Sequence, residues 1–264
     1  MIVTHTLFDL TNKTIIVTGA TGHLGIAMCE GLASMGANIA VASRDLNKVN
    51  HLARKLSKKY GGDHQGFQLD ISDAESVQKT ITEIITIYKK ADVLINNANF
   101  YSMGKVEDYS DDEWVKGIDG TINAVHRCTK AVLPHMLENG RGNIINIGSM
   151  YGVVSPNPEI YGSSGQNNPA NYGAGKAAII QFTKYLACHY GIRGIRANSV
   201  SPGPFPNPKV QENKEFINQL SQKTALGRIG HPDELKGVLV MLASDASSYI
   251  TGQNICVDGG WTAW

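Results

Sequence analysis

Thr14-Ile-Ile-Val-Thr18 runs without a break into Gly19-Ala-Thr-Gly-His-Leu-Gly25, a short apolar strand that ends in a glycine-rich turn. Glycines at 19, 22 and 25 let the backbone turn sharply and open a helix whose first N–H groups lack intrahelical partners. Those donors and the positive end of the helix dipole favour a pyrophosphate. A tight turn without a ligand has the same composition, so the reading depends on the rest of the chain.

Outward from that turn, runs of strand length recur: Asn38-Ile-Ala-Val-Ala42, Gly66-Phe-Gln-Leu69, Asp92-Val-Leu-Ile95, Asn143-Ile-Ile-Asn-Ile147, Ile195-Arg-Ala-Asn-Ser-Val200 and Asn254-Ile-Cys-Val257. Amphipathic stretches of helix length, such as 45–59, 73–89 and 231–242, lie between most of them. Alternating strands and helices with nearly continuous apolar strands predict an α/β protein, a Rossmann-type doubly wound parallel sheet of about seven strands with helices on both faces. No linker or internal repeat divides the 264 residues. The expectation is a single nucleotide-binding domain over 1–264 with an N-terminal arm over 1–12. In such sheets the site lies beyond the carboxyl ends of the strands, at the point where strand order reverses.

Composition narrows the class. With 42% apolar residues and 28 glycines the chain can bury one large core, and a formal charge of +1 supplies no field for nucleic acid. Cys29, Cys128, Cys188 and Cys256 have no metal-ligand spacing, so reduced thiols and no metal are expected. The first ten residues lack the basic start and apolar stretch of a signal peptide. No apolar run approaches the roughly 18 to 20 residues that span a bilayer. A soluble, cytoplasmic protein is expected.

The chemistry sits after the strand ends. Ser43-Arg44-Asp45 follows the second strand; Asp70 and Ile71 follow the third, with Asp70 able to meet an adenine edge or to serve as a turn or cap residue. Asn96-Asn97-Ala98-Asn99 follows the fourth and offers amides or a structural turn. Far downstream stand Tyr172 and Lys176. If 171–189 is helical, positions i and i+4 share a face, so an ammonium can lie beside a phenol and stabilise its anion. The same spacing is common on solvated helices, but the apolar run from Ala177 to Ala187 places this one at the edge of a core.

Taken in order, the glycine turn, Asn96-Asn97-Ala98, Ser149, Tyr172 with Lys176, Ser201-Pro-Gly-Pro204 and the ending Thr251-Gly-Gln-Asn-Ile-Cys-Val-Asp-Gly-Gly260 resemble the compact short-chain dehydrogenases/reductases. The match covers essentially residues 12–261. The resemblance implies an NAD(P)-dependent oxidoreductase that interconverts a secondary alcohol and a ketone by hydride transfer. Tyr172 would be the acid/base, Lys176 would depress its pKa and bond the nicotinamide ribose, and Ser149 would hold the substrate oxygen. The cofactor would meet Gly19, Thr21, Gly22, His23, Leu24 and Gly25 of the turn. Further along it would meet Ser43, Arg44, Asp70, Ile71, Asn97, Ala98, Tyr172, Lys176, Pro202, Gly203 and Phe205.

Three departures from that pattern stand out. His23 occupies a position where compact members carry glycine, so the turn is re-spaced around Gly22. Ungapped matching puts Thr121 where the family has a catalytic asparagine; Asn123, two residues on, points roughly 200° round the helix and does not substitute for it. Finally, the stretch between Ser149 and Tyr172 is longer than usual and contains a polar insertion over 155–170. It carries Asn157, Tyr161, Ser163, Ser164, Gln166 and Asn167, and suits hydroxyl-rich ligands, a solvated loop or a subunit contact.

An arginine after the second strand pairs with the extra phosphate of NADP, whereas an acidic residue there would read the ribose of NAD. Ser43 and Arg44 favour NADP(H), with NAD(H) possible, because Asp45 is equally explained as a helix cap. Similarity to gluconate 5-dehydrogenase-like and sugar-modifying members points to a polyol, sugar acid or activated sugar. A 3-oxoacyl-thioester reductase is the alternative, and a cofactor-binding sensor or scaffold the non-enzyme one. The resemblance also implies a homodimer or homotetramer built partly on the Tyr172 helix, where Ile179, Ile180 and Phe182 serve either assembly or helix-to-sheet packing.

Overall fold

The computed structural model describes residues 4–162, 164 and 167–264. Ser163 and Gln166 of the insertion, and the first three residues of the arm, lie outside the described residues.

Seven strands form one parallel sheet in the order β3-β2-β1-β4-β5-β6-β7. They are β1 (Thr14–Thr18), β2 (Asn38–Ser43), β3 (Gln65–Gln68), β4 (Val93–Asn96), β5 (Gly142–Ile147), β6 (Ile195–Pro202) and β7 (Asn254–Val257). Period-2 alternation divides each central strand between two cores. Ile15, Val17, Ile39, Val41, Ile95 and Ile145 face one, with Met28 and Leu32 of α1 (His23–Ser34), Leu52 of α2 (Leu46–Tyr60) and Leu239 of α9 (Lys236–Ala243). Ile16, Ala40, Leu94 and Ile144 face the other, with Ile81 of α3 (Ala74–Tyr88), Val132 of α5 (Ala124–Glu138) and Leu186 of α6 (Ala170–Tyr190). Two-sided burial is why these strands read as unbroken apolar runs. The arm is fixed by Leu10, fully buried in the first core, whose N–H donates to the Met35 carbonyl over 2.9 Å.

The elements begin where their caps dictate. Asp45 and Asp73 cap α2 and α3, accepting from the N–H groups of Lys48 (3.1 Å) and Glu75 (2.9 Å). The segment expected as one helix over 231–242 is divided. Pro232–Leu235 forms a 3-10 turn capped by His231, and α9 starts only at Lys236. Between α4 (Asp111–Ile118) and α5 the chain widens into a π turn, Asp119–Asn123. Two short helices, α7 (Pro208–Gln211) and α8 (Lys214–Gln222), follow β6. No helix among the described residues is long and apolar enough to cross a membrane.

Candidate active site

Strand order reverses between β1 and β4, and there the two carboxyl ends are tied together. The Thr18 hydroxyl accepts from the N–H groups of Asn97 and Ala98, each at 3.1 Å, and the Asn97 amide donates to the carbonyls of Thr18 and Gly19 at 3.0 and 3.1 Å. Asn97 is therefore committed to shaping the turn. Gly19 has φ +63°, and a Cβ there would stand 2.8 Å from Ala98 Cα; a Cβ on Gly25 would lie 2.3 Å from the Gly19 carbonyl oxygen. Neither position accommodates a side chain.

Beyond these ends opens a cavity of about 1350 Å³, and every residue assigned to the site from sequence lines it. The β1–β3 side contributes the turn from Gly19 to Gly25, Ser43, Arg44, Asp70 and Ile71; the β4–β6 side contributes Asn97, Ala98, Ser149, Tyr172, Lys176, Pro202, Gly203 and Phe205. Thr21 and Ser43 share a 2.8 Å hydroxyl–hydroxyl bond. Lys48, one turn into α2, also lines the cavity beside Arg44. Sequence reading passed it over because a lysine on an amphipathic helix looks like a solvated face.

Two of these residues also make contacts within the protein. Asp70 is a turn residue: its carboxylate accepts from the Ser72 N–H (2.9 Å) and hydroxyl (2.7 Å), and these bonds hold its pKa below the usual carboxylate range. His23 opens α1 with its Nε2 buried and unpaired. Burial, then the nearby His231, push its pKa down against an opposing hydrogen bond to the Pro206 backbone. The ring thus bridges the glycine turn and the segment after β6.

At the other end, Ser149 follows β5 and its hydroxyl accepts from the Tyr151 N–H over 3.1 Å. Burial pushes the Tyr172 phenol up, while a hydrogen bond with Ser149 pulls it down. Lys176 is 3% exposed, donates to the Ile147 carbonyl over 2.7 Å and lies 5.5 Å from the Tyr172 ring centroid. Its burial lowers the amine pKa to about 7. The group is poised to gain a polar partner in the cavity.

A buried ladder beneath these residues carries no sequence signal beyond asparagines inside apolar strands. Asn96 donates to Asn146 Oδ1 (2.9 Å) and Thr129 (3.2 Å), and Asn146 donates to Thr183 (2.8 Å), locking β4, β5 and α6 together. Thr121 and Asn123 stay out of the cavity. The Thr121 hydroxyl is fully buried and donates to the carbonyls of Gly117 and Ile118 at 2.9 and 3.1 Å, while the exposed Asn123 donates to Asp119 over 3.3 Å.

The insertion packs otherwise than its polarity suggests. None of its described residues lines the cavity. Ile160 is buried with Met150, Tyr151, Leu220 and Trp261, and Tyr161 stacks on Phe216 of α8 with centroids 5.6 Å apart. Its polar groups serve local turns, as where Asn157 accepts from the Glu159 N–H at 2.9 Å, or the neighbouring loop, where Asn167 donates to the Gly104 carbonyl at 3.0 Å.

A family model described as enoyl-(acyl carrier protein) reductase matches residues 19–262. Gluconate 5-dehydrogenase of Gluconobacter oxydans is 31% identical, over 97% of this chain and 97% of that protein. A 3-oxoacyl-[acyl-carrier-protein] reductase of Chlamydia trachomatis is 33% identical, over 95% and 98%. The crystal structure of a gluconate 5-dehydrogenase from Burkholderia cenocepacia in complex with NADP and tartrate superposes with a TM-score of 0.87 at 30% identity, covering 98% of each chain. The chain belongs to the short-chain dehydrogenase/reductase family, whose members are NAD(P)-dependent oxidoreductases acting on CH–OH groups.

Proposed function

We propose that this protein interconverts a secondary alcohol and a ketone on a polyol, sugar acid or activated sugar, with NADP(H) preferred to NAD(H). The observation that carries the reading is the convergence of Ser149, Tyr172 and Lys176 on a cavity that also holds the glycine turn and Arg44. The cavity fits a dinucleotide: the start of α1 offers unpaired N–H groups, the orphaned His23 Nε2 lies in the same turn, and Arg44 and Lys48 supply positive charge beside Ser43 and Thr21. Bound nicotinamide would supply the hydride donor or acceptor.

The protein's own groups handle the proton. In reduction, the Tyr172 phenol donates its proton to the carbonyl oxygen; in oxidation the phenolate removes the hydroxyl proton, and in both directions the Ser149 hydroxyl holds that oxygen in place. As an ammonium, Lys176, 5.5 Å from the Tyr172 ring centroid, would stabilise the phenolate and would donate to the ribose hydroxyls of a bound cofactor. Its present bond to the Ile147 carbonyl leaves two further N–H donors for these tasks. Asp45 does not compete for the ribose because it caps α2.

The same relatives include acyl-carrier-protein reductases, so a 3-oxoacyl thioester is the second substrate reading. Incubating the purified protein with NADP⁺ and gluconate, sorbitol or meso-2,3-butanediol, and with NADPH and a short 3-oxoacyl thioester, separates them by reduced-nicotinamide absorbance. The reading expects the larger specificity constant among the polyols. A larger constant for the thioester replaces it with the second. Assembly as a homodimer or homotetramer and a cytoplasmic location complete the proposal; an equilibrium sedimentation mass of one chain would remove the first.

A further inference from the structure

The described residues of the insertion lie outside the cavity, yet one of its polar side chains, that of Asn167, reaches a loop that lines it. That loop, residues 100–105 between β4 and α4, has no regular secondary structure, and it places Tyr101 at the cavity with its ring edge-on to Tyr172, centroids 5.0 Å apart at 65°. Tyr101 is 43% exposed, a large aromatic surface left open beside the reacting end.

Side-chain hydrogen bonds fix the loop backbone. Asn167 from the insertion donates to the Gly104 carbonyl at 3.0 Å, and Asn171 at the start of α6 donates to the Ser102 carbonyl at 3.1 Å. The Tyr109 hydroxyl donates to the same Ser102 carbonyl at 3.0 Å. Asn171 is fully buried and packs on Gly117 of α4, where a Cβ would stand 2.2 Å from its Cγ, so this anchor is rigid. Earlier in the insertion, Ile160 is held in the satellite core and Tyr161 stacks on Phe216. Asn167 therefore ties the end of the insertion next to α6 to an irregular loop.

We propose that Tyr101 is the substrate-selecting wall of this active site, and that Asn167 of the insertion acts on substrate choice by positioning Tyr101. The inference rests on the alcohol–ketone reading above. A tyrosine ring presents a rigid, amphipathic surface at low entropic cost, suited to the C–H face of a polyhydroxylated chain whose hydroxyls point away from it. Tyr101 touches substrate; Asn167 is a positioning residue.

The test compares wild type, Tyr101→Phe, Tyr101→Ala, Asn167→Ala and Tyr101→Ala/Asn167→Ala. For each, kcat/KM with NADP⁺ is measured on the better of gluconate and sorbitol and on 2-butanol, which has one hydroxyl and little carbon surface. The KM for NADP⁺ is measured in parallel. Tyr101→Ala lowers the polyol-to-butanol ratio about tenfold or more, mainly through KM, while Tyr101→Phe keeps it within about threefold because the ring remains. Asn167→Ala shifts the ratio in the same direction by a smaller factor and has no further effect once Tyr101 is alanine, as a residue acting through one partner must behave. The KM for NADP⁺ stays unchanged throughout. A ratio unmoved by Tyr101→Ala, or an Asn167→Ala effect that persists in the double variant, overturns the inference and leaves the enzymatic reading standing. Wild type that oxidises none of these alcohols overturns that reading and the inference with it.

Discussion

Two residues at opposite ends of the cavity make separable contributions. Arg44 follows β2 and lines the cavity, whereas Asp45 beside it is occupied as a helix cap. Arg44→Ala should weaken NADP far more than NAD, because only the former loses a charge-assisted bond of about 1.5 to 3 kcal/mol, roughly 10- to 150-fold in affinity. Titrating each cofactor against the variant checks this; equal losses would mean that Arg44 only shapes the strand end. Lys176 makes a different kind of prediction. Its folded-state pKa of about 7 lies below the ordinary lysine value of 10.5, so between those values the unfolded chain holds a proton that the folded chain lacks. Stability should fall as pH drops from about 10 to 7, by up to about 1.4 kcal/mol per unit from this group, and level off below 7. Lys176→Met removes that dependence, so the urea-midpoint difference between variant and wild type should widen across the window; a difference that does not vary with pH would show that the amine is solvated.

The contact between the π turn and α6 operates at the scale of elements. A Cβ on Gly175 would lie 1.9 Å from the Thr121 hydroxyl oxygen, which sits in the turn joining α4 to α5. Gly175 immediately precedes Lys176, so the fit of these elements also sets where the lysine stands. Gly175→Ala should cost about 1 to 3 kcal/mol by overpacking and lower kcat, and Thr121→Ala in that background should recover most of both. Additive losses in the double variant would show that the two residues do not meet. Thr121, which ungapped matching sets in the family's asparagine position, thus packs against α6. Its role was hidden from sequence because only the close approach of a distant glycine defines it. The insertion was equally opaque: its polarity suggested substrate contacts, but Ile160 and Tyr161 pack against Leu220, Trp261 and Phe216, partners more than 50 residues away.

At the scale of the molecule the sheet was legible because burial on both faces leaves an unambiguous pattern: Ile15, Ile16 and Val17 are all fully buried, and so are Ile39, Ala40 and Val41. Strand limits differed by a residue or two, as at β3 and β6, where pairing with neighbours decides the ends. Much of the cavity lining was legible too, since it comes from the residues just after strand ends, where sequence position and spatial position coincide, while Tyr172 and Lys176 were marked by their i, i+4 spacing. Lys48 and Tyr101 were not, because a lone lysine or tyrosine acquires meaning only from what faces it.

The measurement that tests the account most directly is reduced-nicotinamide formation by wild type and Tyr172→Phe, each with NADP⁺ and a polyol, alongside fluorescence titration of NADPH into both. The account predicts turnover by wild type, a loss of about 100-fold or more in kcat for the variant, and NADPH affinity within about threefold of wild type. A Tyr172→Phe protein that turns over like wild type would contradict it.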